Sequence, residues 1–483
     1  MIWPYSGHRH GARRLGFSNS SINSSLDFSR LPDFSRPHSR ARNVQVAGTL
    51  DGCASRAHGT IVASRASVTR KGELKLADFM LILALAIAMP AIAEDEKEPA
   101  AASSRLEVWK TLREEKAQRL QPERRNKLEN ALFEFKERRI LERFQAGFHG
   151  IRPKLGGFET GSGFGMGAEA RPRLFDGLLD ARVSAQASLK GYQRYEAGIS
   201  LPRLADERFF VNVDLSYRNS PQQDFFGLGA ESQEADRTSF RYEAAEYAAT
   251  FGVRPIAHVE TGAAAGILRV RTGAGTDPRF PSIEEIFDDG EAPGLGAQPD
   301  YAYAALFARV DTRDRPGNPR SGGAYAVEWK SYGDIGDDGY GFDRFNVEAE
   351  HYFSFFNERR VIAVRAQTSL AHTRNGNRVP YFMQPALGGS EDLRGFREFR
   401  FRDRNLLGFN LEYRWEAFSG LDLALFGDAG KVFETSKEFG LDDLKTSYGF
   451  GLRFNTAESV FWRIDTGFGR EGPRLFLKFG HVF

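Results

Sequence analysis

Five arginines and four carboxylates crowd into the twenty residues from Ala386 to Asn405, ALGGSEDLRGFREFRFRDRN. A guanidinium keeps its charge and presents a planar fork of donors that matches a carboxylate, so the chemistry on offer is ion pairing rather than proton transfer. Glu412 and Asp428 are acids that follow this stretch in the chain. Reactive groups are not assembled elsewhere. No G-x-S-x-G, H-E-x-x-H or Walker sequence occurs, the nine histidines are scattered, and no Ser/His pair singles itself out for a lipase-type reaction. DDGEA (Asp288 to Ala292) and DIGDDG (Asp334 to Gly339) could offer clustered oxygens to Ca2+, but read better as solvated loop tips. The expectation is a protein that is not an enzyme, with no metal and no cofactor.

The elements that carry these residues repeat with a period of two. In RFFVNVDLSYR, Phe209, Val211, Val213, Leu215 and Tyr217 alternate with Phe210, Asn212, Asp214, Ser216 and Arg218. In LLGFNLEYRWE, Leu407, Phe409, Leu411, Tyr413 and Trp415 alternate with Gly408, Asn410, Glu412, Arg414 and Glu416. Each pattern marks a strand with one greasy face and one polar face. Alternation alone does not separate a soluble sandwich from a membrane barrel, but length does. Segments of about 11 residues at ~3.3 Å each, tilted by ~40°, project to roughly 28 Å, enough to cross the ~25 Å apolar band of an outer membrane. Sandwich strands are usually about half as long.

Fifteen such segments begin near residues 158, 178, 192, 208, 238, 257, 302, 323, 342, 359, 404, 421, 446, 459 and 473. Bacterial barrels close on an even number, so a sixteenth strand is expected within 272–301, around Ser282 to Phe287. The fold class is therefore all-β: a transmembrane antiparallel β-barrel of about sixteen strands over 158–483, with a short N-terminal α-helical extension. On the strand from Leu421, Leu421, Leu423 and Leu425 share the lipid face, which turns Phe426, Asp428 and Gly430 toward the lumen. The same parity turns Glu412 inward.

GGSEDLRGF (Gly388 to Phe396), RNLLGFNLEYR and ALFGDAGKVF (Ala424 to Phe433) together resemble the BamA-type and TamA-type outer-membrane superfamily, the bacterial surface antigen family. DTRDRPGNPRSGG (Asp311 to Gly323) and DFFGLGAES are similar to two further motifs of that family. The resemblance implies that the R-G-F loop, with Arg394, Gly395 and Phe396, folds back into the barrel as a latch, its Arg394 meeting the acid of the F-x-D-x-G motif, Asp428. Glu412, inward by parity, would be a second partner. It also implies a seam that can open laterally where the first strand meets the last, and the run Gly161, Gly163, Gly165, Gly167 is expected to make that first strand soft, because glycine weakens strands. The last strand, PRLFLKFGHVF, puts Leu475, Leu477, Phe479, His481 and Phe483 on one face. Its aromatics Phe479 and Phe483 resemble the C-terminal signal that such barrels present to their assembly machinery. Assembly and secretion members carry periplasmic POTRA domains of βααββ pattern. The helical residues 94–157 show no such pattern, so a member without POTRA domains is expected.

Phe79 to Met89 (FMLILALAIAM) is shorter than the ~18 apolar residues of a spanning helix. Lys71 and Lys75 precede it, and Ala91 and Ala93 stand at −3 and −1 of a cut after Ala93, so 68–93 reads as a secretory signal. Residues 1–67 read as a disordered leader from a start assigned too far upstream, and the single cysteine, Cys53, lies there. The exported chain is then without thiol or disulfide chemistry. From Glu94 to about Phe144 the spacing is helical, with Ser104 and Glu107 as a capping box and Pro122 opening a second helix. This segment is expected to be a periplasmic extension or a lumen plug.

A formal charge of +2 excludes the strongly basic footprint of a nucleic-acid binder. The mean hydropathy of −0.44 excludes a helical membrane bundle. The expected location is the outer membrane of a Gram-negative cell. The expected partners are membrane lipid, the assembly machinery during biogenesis and an unidentified periplasmic partner or client. The expected function is to assist insertion or translocation of protein or lipid through a latched lumen and a flexible seam. The alternative is a passive pore or structural surface antigen. Mass spectrometry of the mature protein should find its N-terminus at Glu94; peptides from residues 1–60 would refute the upstream-leader reading.

Overall fold

A computed structural model describes residues 105–119, 147–148, 150–374, 376–456 and 459–482. Among the described residues one helix, α1 (Arg105–Arg119), precedes the strands. The leader, the signal segment, the second expected helix and Phe483 lie outside the described residues.

The period-two runs become sixteen antiparallel strands. They are β1 (Ile151–Leu155), β2 (Gly165–Ala170, resuming at Arg173–Leu174), β3 (Leu179–Ser188), β4 (Gln193–Leu204), β5 (Phe209–Phe225), β6 (Thr238–Val253), β7 (Val259–Ala274) and β8 (Asp300–Asp311). The second half comprises β9 (Gly322–Asp334), β10 (Phe342–Phe355), β11 (Arg360–Thr373), β12 (Asn405–Phe418), β13 (Leu421–Phe433), β14 (Lys445–Asn455), β15 (Val460–Gly469) and β16 (Gly472–Phe479). Antiparallel ladders join each strand to its neighbours in chain order. Between β16 and the β1–β2 hairpin, side chains meet: Lys478 Nζ donates to the Phe158 carbonyl at 3.0 Å, and the Phe164 and Phe479 rings lie 6.3 Å apart.

Polarity is inverted relative to a water-soluble protein. Val213, Leu215, Leu306, Leu425, Phe450 and Leu477 face outward and are exposed, whereas Arg365, Glu412, Asp428, Arg453 and Asp465 point inward and are buried. Along β13, Leu423 and Leu425 are outside while Ala424, Phe426 and Asp428 are inside. An apolar outer band with a charged interior is stable only when lipid surrounds it. Among the described residues no helix is long and apolar enough to cross a membrane; the strands do so.

The two ends differ. Long connections (226–237, 275–299, 374–404, 434–444) leave one end and short turns such as 205–208, 356–359 and 419–420 leave the other. At the long-loop end, Phe225, Phe240, Tyr301, Tyr332 and Phe342 from the strands pack with Ile283, Val379, Tyr381 and Met383 from the loops, forming a dome. Below it a cavity of about 1510 Å³ reaches the short-turn end, where Asp176, Glu207 and Arg313 line it.

Three expectations need correction. Ser282 to Phe287 holds no strand: Ser282 and Glu285 close a capping box over a one-turn helix, α2 (Ile283–Ile286). The sixteenth strand is β1, inside the segment 94–157 expected to be helical. Only five residues long and carrying Pro153, it shows little alternation. A proline lacks the ladder donor and is tolerated at such an edge. The glycine run is consequently not the first strand. Gly161 and Gly163 sit in the β1–β2 connection at positive φ, and Gly165 and Gly167 belong to β2. Lastly, the lipid face does not continue through His481. Gly480 has φ +90, which lets the chain turn, and Val482 packs against Tyr352, Val361 and Ala363 inside the barrel.

Leu425→Arg should lower the unfolding free energy in lipid vesicles by about 2–4 kcal/mol, the range for a charge on the lipid face near the midplane. Urea titration would measure it, and an unchanged midpoint would mean that this face meets water.

Candidate functional site

Loop 374–404 leaves β11 and returns to β12. Its base is pinned by a two-residue ladder between Ala386–Leu387 and Phe401–Arg402. Leu387, Leu393, Phe396 and Phe401 pack with Leu406 of β12 and Val432 of β13, and the Phe396 and Phe401 rings meet edge to face at 5.2 Å. This apolar contact draws the charged tip of the loop inside, where each charge must find a partner.

Arg394 finds two. Its Nη2 donates to Asp428 Oδ1 at 2.7 Å, its Nε to Asp428 Oδ2 at 3.1 Å and its Nη1 to Glu412 Oε2 at 2.6 Å. The Arg394 backbone N–H adds a bond to Asp428 Oδ2 at 3.0 Å. All three side chains are 0% exposed. The guanidinium carbon lies 3.5 Å from the centre of the Phe426 ring, so a cation–π contact covers its remaining face. Asn410 and Ser447 donate to Asp428 at 2.9 and 3.1 Å. Bidentate, charge-assisted bonds of this kind are the strongest hydrogen bonds that side chains make.

The pairing continues along the inner wall. Glu412 accepts from Arg414 Nε at 2.8 Å and Arg453 Nη2 at 2.8 Å. Arg453 reaches Asp465 at 2.6 Å, and Arg463 joins that acid, at 2.7 Å, to Glu391 of the loop, at 2.6 Å. Three guanidiniums thus alternate with three carboxylates from Arg394 through Glu412, Arg453, Asp465 and Arg463 to Glu391, so the chain of pairs begins and ends on the loop, with Asp428 and Arg414 as side branches. A second tie runs from Gln367 and Arg365 of β11 to Asp392, at 2.6 and 3.4 Å. Burial raises that loop carboxyl to about 6 against the opposing pull of Arg365.

Glycines make the approach possible. A Cβ on Gly395 would lie 2.6 Å from both Gly469 N and Ser447 Cβ, and one on Gly467 would lie 1.9 Å from the Arg394 carbonyl. The loop backbone therefore lies directly on the β14–β15 wall; Gly395 serves this contact. Gly430 leaves room for Leu387, and Gly449 for the Phe426 ring. Arg453, Arg463, Asp465, Gly467 and Gly469 were not singled out in the sequence. Their signal was available in the inward parity of TSYGFGLRFN and VFWRIDTGFG.

The loop's other arginines fasten the dome. Arg400 reaches Glu471 at 2.6 Å and Ser232 at 2.9 Å, Arg397 reaches Glu234 at 2.6 Å, and the Gly229 N–H donates to the Arg402 carbonyl at 2.8 Å. The proposed seam residues are elsewhere. Gly165 leaves room for the Phe158 ring and Gly167 for Ala185 and Gln186 of β3, while Phe479 packs against Phe461 at 5.7 Å.

Arg394→Ala should destabilise the barrel by about 3–5 kcal/mol, because it leaves buried carboxylates without their partner. Arg394→Lys should restore less than half of the loss, and Gly395→Val should resemble Arg394→Ala. Urea unfolding followed by tryptophan fluorescence measures each, and wild-type stability of Arg394→Ala would show that the pairing holds nothing in place.

Comparison with known proteins agrees with this architecture. BamA from Haemophilus ducreyi lacking POTRA domains 1-3 superposes with a TM-score of 0.51 at 14% identity, covering 68% of this chain and 69% of that one. CdiB from Escherichia coli gives a TM-score of 0.49 at 13% identity, covering 68% of this chain and 62% of the other. No curated protein matches the sequence. The Omp85 superfamily domain matches residues 180–468, more than half of the chain, which belongs to the Omp85 superfamily of outer-membrane barrels.

Proposed function

We propose that this barrel assists the insertion or translocation of protein or lipid at the outer membrane, without enzymatic chemistry, and that loop 374–404 is its latch. The observation that carries the reading is the complete burial of Arg394 between Asp428 and Glu412. A loop held inside by a desolvated bidentate pair keeps the lumen closed at rest, and it leaves only when something offsets the loss of those bonds. The dome above and the pairing of Arg365 with Asp392 support the same closed state. The seam is the second part of the reading. Where the first hairpin meets β16, the described contacts are the Lys478 bond to the Phe158 carbonyl and the Phe164–Phe479 ring pair, whereas β10 and β11 share fourteen residue pairs, so separation there breaks few bonds. Expected partners are outer-membrane lipid and a periplasmic client.

The large polar cavity gives the passive-pore reading its support, and conductance separates the two. In planar bilayers the wild-type barrel should be mostly closed, and Arg394→Ala should raise its open fraction by about a hundredfold, since roughly 3 kcal/mol corresponds to two factors of ten. A disulfide joining β1 to β16 should block insertion of a model barrel protein into vesicles. A steadily open wild-type pore, indifferent to Arg394→Ala, would favour the passive reading.

A further inference from the structure

Nine arginines are buried among the described residues, and seven of them meet a carboxylate. Arg320 pairs with Asp422, Arg365 with Glu348, Arg400 with Glu471, and the other four form the cluster on Glu412, Asp428 and Asp465. The exceptions are Arg344 on β10 and Arg402 at the loop base. Nε and Nη2 of both have no hydrogen-bond partner. Both border the dome: Arg344 lies 5.1 Å from the Phe342 ring, and Arg402 Nη1 donates to the Tyr381 carbonyl at 3.0 Å. The hydroxyls of Tyr301 and Tyr332, in the same apolar cluster, are also without partners.

On the wall of the cavity stands a second group of cations. Arg194 of β4 and Arg218 of β5 are opposite each other in register, and both line the cavity. Like charges placed so repel. Arg218 has Glu159 at 3.5 Å, whereas Arg194 makes its described contact with the Phe158 ring, 5.6 Å away. Arg402 lies within electrostatic reach of Arg218. The nearby acids are otherwise engaged: Glu246 is 3.4 Å from Lys330, Glu196 is 3.1 Å from Lys154, and Glu398 accepts from the Thr160 backbone N–H at 3.3 Å. Among the described residues, Arg218 alone of Arg194, Arg218, Arg344 and Arg402 has a carboxylate within ion-pair distance, Glu159, with Glu196 farther off beside Arg194, in a lumen whose other buried arginines are matched with acids.

We propose that the upper lumen binds a phosphate-bearing anion, held at the cavity wall between Arg194 and Arg218. Arg344 and Arg402 add positive potential from the dome. Guanidinium forks match phosphate oxygens in bidentate fashion, and a phosphomonoester of about −1.5 to −2 charge offsets the unmatched cations better than one carboxylate does. The cavity, about 1510 Å³, admits inorganic phosphate or a lipid headgroup. The two phosphate contacts, Arg194 and Arg218, lie on β4 and β5 outside loop 374–404 and need no transport role, whereas Arg402 belongs to the base of that loop.

The test is titration of the full chain in non-ionic detergent with sodium phosphate, against sodium chloride of equal ionic strength, by calorimetry and thermal unfolding. Phosphate should bind and raise the midpoint of the wild type. Arg194→Glu places an acid opposite Arg218, so it should raise the midpoint without phosphate and weaken phosphate binding by about tenfold or more. Arg218→Gln should weaken binding similarly, and the gel mobility of the folded barrel checks both variants. Glycerol phosphate and dihexanoyl phosphatidic acid below its micelle concentration distinguish the sources. Tighter binding of the lipid assigns the site to a headgroup, and equal binding assigns it to a soluble phosphate. A wild type that responds to phosphate no more than to chloride, or an Arg194→Glu protein that binds phosphate as the wild type does, overturns the proposal.

Discussion

Removing a guanidinium from water costs several kcal/mol even after the surroundings relax, and Arg394 has no exposed surface. Much of the lumen's design follows from that cost. The parity of β12 and β13 must turn Glu412 and Asp428 inward, the loop must return through an apolar base at Leu387 and Phe401, and Gly395, Gly467 and Gly469 must let two backbones touch. Failure at any of these points would strand a charge in a place where water does not reach it.

The inverted polarity of the barrel sets the wider rule. Lipid accepts the outward Leu, Val and Phe side chains, so the charges of the chain are gathered into the lumen and must neutralise one another there. They do so unevenly around the wall. From β12 to β15 the interior is filled by the loop and its alternating ion pairs, while the cavity is lined by residues of β2 to β11 and the C-terminal turn. The lumen has one side packed by the loop and one side occupied by the cavity. The cations without matching acids cluster beneath the dome at the top of the cavity side, which is where an external anion would complete the pattern.

Legibility in the sequence followed the length and regularity of each strand. β5, β12 and β13 alternate over many residues, and their faces could be assigned from parity alone. β1 could not be found, because five residues with a proline carry too little periodicity. The segment around Ser282 carries the opposite signal to a strand: S-x-x-E is a capping box, and it closes on a helix. Within the site, the positions of Arg394, Asp428 and Glu412 were legible from a motif and a parity, but the continuation through Arg453, Asp465 and Arg463 was not. Those residues lie on strands that meet the loop through space, where Arg463 reaches Glu391 and Ser390 across gaps of 72 and 73 residues in the chain.

The sequence by itself determined the class of fold, the inward face of each regular strand and the identity of the anchor, because these depend on local alternation and on short motifs. Tertiary structure alone decided which segment forms the first strand, where Gly480 turns the chain into the lumen, and which of the many arginines obtain an acid. Such pairing depends on register across neighbouring strands and on the path of a loop through the lumen, and a difference of one residue in register would send each of those charges to the opposite face.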